Sequence, residues 1–229
     1  MLERLLDEAK AVLFDFDGVL VDSEPFYYQS YNMAFEKRGH SITEEDYWEF
    51  WTSRGEGIPG EVRRYNLDIS NDEIETMYAE RCDNFTVFCR AGKIPFFPGM
   101  LESLVTLKKK GMPCAIGSSS FQHDLMTIFE KTGHSAPPCP VVGRRKGLRP
   151  KPHPDIYVYA AGTLDVEPAS CLAIEDAHKG LEAAKAVGMR CIILRNRYNR
   201  DLEYPGADGI VEDHETFARM IQSWKGRSP

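Results

Sequence analysis

Six short apolar runs punctuate the chain: AVLFDF (11 to 16), PCAIGS (113 to 118), PVVG (140 to 143), CLAIE (171 to 175), CIIL (191 to 194) and GIV (209 to 211). The first, which follows a short N-terminal helix, stays apolar until carboxylates and Gly18 close it, the pattern of a strand buried on both faces. Between the later runs, residues 101–111, 123–133, 154–162 and 179–188 carry apolar positions at helical spacing, and several end on the glycine that commonly terminates a helix. Strands alternating with helices predict an α/β fold with a doubly wound parallel sheet, a Rossmann-like core.

Residues 24–96 break this rhythm with helical patterns in succession and no buried strand, so they read as an inserted all-helical domain. Pro25 opens a helix with Tyr27, Tyr31, Ala34 and Phe35 on one face, and Gly39 stops it. Thr43 with Asp46 resembles a capping box ahead of Tyr47, Trp48 and Trp51. Ser70 with Glu73 is a fuller one ahead of Ile74, Met77, Tyr78, Cys82 and Phe85. These aromatic and methionine stripes read as packing. IPFFPG (94 to 99) returns the chain to the sheet as a stiff linker.

A length of 229 residues suits one core with a modest insertion, and 42% hydrophobic with 28% charged residues describes a folded chain rather than a disordered one. The net charge of −7 argues against nucleic-acid or anionic-membrane binding. No run approaches the length of a membrane span, and the opening MLERLLDEAK is not a signal peptide, so a cytoplasmic protein and a monomer are expected. Six cysteines lie far apart with no CxxC, and Cys114, Cys171 and Cys191 fall in or beside apolar runs, which reads as free thiols in a reducing compartment.

In an open parallel sheet the carboxyl ends of the strands meet in one crevice. The first strand delivers Asp15 and Asp17 there, the second Ser118, Ser119 and Ser120, and the fourth Glu175 and Asp176; Lys151 opens a helix shortly before the fourth. Four carboxylates facing one crevice would repel strongly without a cation among them. Hard oxygen donors in a partly open shell suit Mg²⁺ better than Zn²⁺.

DFDGVLVDSE (15 to 24), GSSS (117 to 120), KPHPDIY (151 to 157) and AIEDAHKGLEAAKAVGM (173 to 189) resemble, in order, the four motifs of the haloacid dehalogenase-like hydrolases, in the branch of β-phosphoglucomutase and small sugar-phosphate phosphatases. The resemblance spans roughly residues 11–195. It implies a core of residues 1–23 and 97–229, a helical cap of residues 24–96, and Mg²⁺-dependent hydrolysis of a small phosphorylated metabolite through an aspartyl-phosphate. Asp15 is the implied nucleophile, Asp17 the acid/base, and Ser118 and Lys151 the phosphate clamp. Asp15, Asp17, Glu175 and Asp176 are the implied metal residues, and Phe16, Gly18, Ser119 and Arg54 further substrate contacts. Asp15 and Ser118 are 103 residues apart, room for the cap, whereas Lys151 and Glu175 are 24 apart, with no room for another.

The chemistry agrees with these roles. A phosphomonoester dianion repels an attacking carboxylate, so a cation and Lys151 must offset that repulsion. An alkoxide leaving group needs a proton, which Asp17 is placed to give. Gly18 relieves crowding in a turn whose amides can face phosphate.

Taken singly, Asp17 reads as a turn former and Lys151 as a surface charge; taken with the other motifs they read as catalytic. Asp22 and Ser23 read as hinge and helix cap. Arg144, Arg145, Lys146 and Arg149 read as a solvated loop rather than a nucleic-acid patch, and His123, His134, His178 and His214 as surface or capping residues. A β-phosphoglucomutase-type mutase is the main alternative. Such mutases use a histidine early in the first cap helix, and the corresponding residue is Tyr27, which favours hydrolysis. A receiver-like phosphorylatable signalling domain would share Asp, Ser and Lys but would carry no large insertion between the first two motifs.

Overall fold

Parallel strands carry the first of two units into which the chain divides, Met1–Asp22 with Pro95–Pro229; the second is Ser23–Ile94. The computed structural model describes residues 1–53, 56–133 and 136–226. Among them, no helix is long and apolar enough to cross a membrane.

In the first unit, helix α1 (Leu2–Glu8) leads into strand β1 (Ala11–Phe14), and the strands β2 (Cys114–Phe121), β3 (Val141–Arg144), β4 (Cys171–Glu175), β5 (Arg190–Leu194) and β6 (Gly209–Val211) follow. They form one six-stranded sheet in the order β3-β2-β1-β4-β5-β6, with every pair parallel. Chain order therefore runs outward in both directions from β1 and β4, and these neighbours flank the switch point at which an open α/β sheet leaves a crevice. All four residues of β1 and all five of β4 are buried. Each large apolar side chain so buried contributes about 1.5–3 kcal/mol, which explains why β1, and β4 up to Glu175, are continuously apolar.

Helices α6 (Met100–Lys109), α7 (Gln122–Lys131), α8 (Asp155–Gly162), α9 (His178–Lys185) and α10 (His214–Ser223) complete the unit. Phe217 of α10 meets Phe14 of β1 edge-on, with ring centroids 6.0 Å apart. Apolar spacing does not single out α10, and His214 reads from the sequence as a surface or capping residue. His214 is in fact buried: its ring stacks on Phe97 at 3.7 Å and its Nε2 lies 3.3 Å from the Gly18 carbonyl. Burial pulls its pKa below the ordinary imidazole value. Where the chain leaves and re-enters this unit, Val21 pairs antiparallel with Phe96, and the Asp22 amide donates to the Pro95 carbonyl at 3.0 Å. Cys114, Cys171 and Cys191 are buried free thiols, as expected.

The second unit is helical. It comprises α2 (Glu24–Glu36), a single turn α3 (Glu44–Asp46), a π-helical stretch (Tyr47–Ser53), α4 (Gly57–Arg64) and α5 (Asn71–Arg90). Thr43 accepts from the Asp46 amide, and Ser70 with Glu73 forms the reciprocal capping box. Beyond Asp46 the helix widens, a change that apolar spacing does not announce. Tyr47 and Trp51 both remain buried in the widened turn, and Trp51 Nε1 reaches Glu61 at 3.1 Å. Ser23 occupies the cap position of α2, and its side chain makes no capping bond.

Candidate active site

Asp15 follows β1 directly. Its backbone amide donates to Ile174 of the neighbouring β4 at 2.9 Å, so strand pairing brings it beside Glu175, the last residue of β4, and Asp176. Oxygens of these three carboxylates lie within 4.8 Å of one another. Lys151 reaches the same place from the segment ahead of α8, its side chain 1% exposed. Its ammonium sits 3.0 Å from Asp15 Oδ1 and 2.6 Å from Glu175 Oε1, and 3.2 Å from the hydroxyl of Tyr157, which itself donates to Glu175.

Two glycines make the crowding possible. A Cβ at Gly180 would sit 2.0 Å from the Glu175 carboxyl carbon, and one at Gly18 would sit 1.9 Å from Asp176 Oδ2. Gly18 also has φ of +74°, a conformation costly for other residues.

The electrostatics follow from three carboxylates around one ammonium. Burial, reinforced by the Glu175 charge, raises the Asp15 carboxyl to about 6 against the pull of Lys151. Burial alone would lower the Lys151 pKa, but Asp15 and Glu175 outweigh it and hold the ammonium protonated. Burial, then Glu175, keeps the Tyr157 phenol neutral. One cation against three carboxylates leaves excess negative charge in a low-dielectric site, and hard oxygens from two strand ends are a donor set that fits Mg²⁺.

Asp17 does not belong to that close group of carboxylates, although the family resemblance implies it among the metal residues. Its Oδ2 instead accepts from Ser118 Oγ at 3.2 Å and from Ser120 Oγ at 2.6 Å. The apolar run of the second strand ends at Ser118, whereas β2 runs on to Phe121 through an irregular pairing with β3, and this extension aims Ser120 at Asp17. Ser119 Oγ accepts from the Lys151 amide at 3.1 Å, and the Phe16 amide donates to Asp15 Oδ1 at 2.7 Å. Arg54, the expected substrate contact of the cap, and His134 lie outside the described residues.

Tyr157 and Asn196 also belong to this site, and the sequence assigns neither a role there; Ser120, which the sequence places at the crevice, proves to bind Asp17. A buried tyrosine needs a partner for its hydroxyl, so the apolar spacing of α8 is a usable signal for Tyr157; Asn196 offers none. Arg144, Arg145, Lys146 and Arg149 are exposed, as expected of a solvated loop. Lys151 turns inward, Arg149 pairs with Asp155, and Arg144 and Arg145 lie over the rings of Phe121 and Tyr159.

The helical unit holds a polar cluster of its own. The half-buried Arg81 guanidinium lies 5.0 Å from the ring centres of both Tyr27 and Tyr31, and Tyr27 stacks on Phe85 at 4.1 Å. The Nε of Arg81 is buried without a hydrogen-bond partner.

A model of the haloacid dehalogenase-like hydrolases matches residues 9–188. The chain is 29% identical over 218 residues to protein CbbY of Cereibacter sphaeroides, covering 92% of this chain and 94% of that one. It is 29% identical over 190 residues to a phosphorylated carbohydrates phosphatase of Thermotoga maritima, covering 80% and 83%. The crystal structure of a point mutant of CbbY from Rhodobacter sphaeroides in complex with xylulose-(1,5)bisphosphate superposes with a TM-score of 0.74 at 28% identity, covering 89% of this chain and 93% of that one.

Proposed function

Because the chain belongs to the haloacid dehalogenase-like hydrolase family, we propose that it is a Mg²⁺-dependent phosphatase of a small phosphorylated sugar that works through an aspartyl-phosphate on Asp15. The observation that carries this reading is the Lys151 ammonium held between Asp15 and Glu175 beside Asp176. The activity for which the Thermotoga relative is named and the sugar bisphosphate bound to CbbY support the substrate class.

An Asp15 oxygen attacks phosphorus in line with the sugar oxygen, forming the Asp15–phosphorus bond as the bond to the sugar oxygen breaks. The Asp17 carboxyl gives its proton to that leaving oxygen. As carboxylate, it then takes a proton from the water that attacks the phosphoryl group, and the Asp15–phosphorus bond breaks to release inorganic phosphate. Lys151 balances charge on the phosphoryl oxygens throughout, joined by Ser118; the Gly18 amide, expected to face phosphate, instead donates to the Val21 carbonyl at 2.9 Å. Asp15, Glu175 and Asp176 would hold Mg²⁺, which when bound neutralises phosphate and carboxylate charge.

Phosphate release from a panel of sugar phosphates and an aryl phosphate tests this reading. Activity should require Mg²⁺ and stop with excess EDTA; full activity after rigorous chelation overturns the metal assignment. No release from any phosphomonoester overturns the function. Asp17→Asn should lose far more on alkyl than on aryl phosphates, since an activated leaving group departs without a proton. Equal losses refute the general-acid role. The mutase reading is weakened by Tyr27, because a phenol does not exchange protons near neutrality. Glucose 6-phosphate formed from β-glucose 1-phosphate, with a trace of the 1,6-bisphosphate, faster than inorganic phosphate would restore it.

A further inference from the structure

A loop outside all four motifs, RNRYNRDLEY (195 to 204), closes around Asp176. Asn196 is 7% exposed. Its Nδ2 donates to Asp176 Oδ2 at 3.0 Å and to the Gly18 carbonyl at 3.1 Å, while its Oδ1 accepts from the Tyr198 amide at 2.8 Å. These partners fix the orientation of the amide, since a flip would set oxygen against two acceptors and the NH₂ against a donor. The backbone below is held as firmly: Asn199 Nδ2 and the Tyr204 hydroxyl both donate to the Asp176 carbonyl, at 2.8 and 2.6 Å. On another side the carboxylate packs against Gly18, leaving no room for a Cβ.

We propose that Asn196 is a positioning residue that holds the Asp176 carboxylate in place for the divalent cation. This rests on the cation reading above and adds a residue to it. Asp176 carries a negative charge toward two others, so without a bound cation repulsion favours rotating it away. Asn196 opposes that rotation at the carboxylate itself, and the same NH₂ ties it to the Gly18 turn that follows Asp15 and Asp17. Asn199 acts one step back, on the main chain alone: its Nδ2 donates to the Asp176 and Leu194 carbonyls and its Oδ1 accepts from the Asn196 amide. The two asparagines therefore separate positioning of the carboxylate from support of the loop.

The test is Mn²⁺ binding to the full chain, followed by electron paramagnetic resonance and by calorimetry, for wild type, Asn196→Ser and Asn199→Ser. Thermal unfolding of the metal-free proteins reports which variants are folded. Loss of a residue that orients a metal ligand typically weakens affinity ~10–100-fold, so Asn196→Ser should bind Mn²⁺ that much more weakly while Asn199→Ser stays near wild type. The Mg²⁺ concentration for half-maximal phosphate release should shift by the same factor, with most of kcat recovered at saturation. Should the serine variant not fold, Asn196→Gln, which keeps the amide but displaces it by one methylene, should show a smaller loss in the same direction. Unchanged affinity in the folded Asn196 variants overturns the proposal, as do equal losses at Asn196 and Asn199. A wild type that binds no Mn²⁺ is a different result: it overturns the cation reading itself and this inference with it.

Discussion

Asp15→Asn should lose roughly 10⁴-fold or more in phosphate release, the scale of a deleted nucleophile, form no phosphorylated protein, and yet melt no lower than the wild type. The two effects share a cause. The Asp15 carboxyl is raised to about 6 by burial and by Glu175, so near pH 7.5 the folded metal-free protein holds a carboxylate in surroundings that disfavour it. An amide of the same shape removes that burden, and Lys151 keeps Glu175 as its partner at 2.6 Å. A carboxyl whose folded pKa lies above its unfolded value binds more protons in the native state between about pH 4 and 6. Its contribution to stability therefore falls as pH rises through that window, and Asp15→Asn should lack this slope. Thermal unfolding without metal at pH 5 and 7.5, beside single-turnover phosphorylation, checks both halves. Phosphate release within tenfold of wild type would remove Asp15 from the mechanism.

Lys151→Ala should destabilise the core unit by about 3–5 kcal/mol, the usual cost of stripping one partner from a buried ion pair, and lower phosphate release by roughly 10²–10³-fold. Lys151 is in ion-pair contact with both Asp15 and Glu175, so its loss leaves their charges unbalanced. In the variant the Asp15 carboxyl loses the ammonium that lowers its pKa and should titrate higher still, so the deficit against wild type should be small near pH 4.5 and grow toward pH 8. Urea unfolding at both pH values reads this. A deficit independent of pH would show that the loss comes from the emptied volume instead of the unbalanced charge.

Elements whose cause is local are readable from the chain alone. β1 is apolar at every position and β4 at every position before Glu175 because both faces of the sheet are covered, and the Ser70–Glu73 cap sits within one helical turn. The strand ends that carry Asp15, Glu175 and Asp176 can likewise be found by asking which residues follow each apolar run. The π-helical stretch cannot, because Tyr47 and Trp51 have the spacing of an ordinary helix face. His214 reads as polar until Phe97 covers it. Asn196 lies 20 residues from Asp176 and 178 from Gly18, so its role exists only once the sheet has brought three distant segments together.

The buried cysteines make the sheet its own reporter. Burial raises the thiols of Cys114 and Cys191 well above the ordinary value and that of Cys171 to about 11, and alkylating reagents attack the exposed thiolate. At neutral pH, labelling must therefore wait for these strands to part, and its rate counts local openings rather than surface accessibility. Cys171 begins β4 and Cys191 lies in β5, the strands on the Glu175 side of the switch point. A cation drawing Asp15, Glu175 and Asp176 together should slow alkylation at both cysteines, recording occupancy of the site with no substrate present and no turnover required.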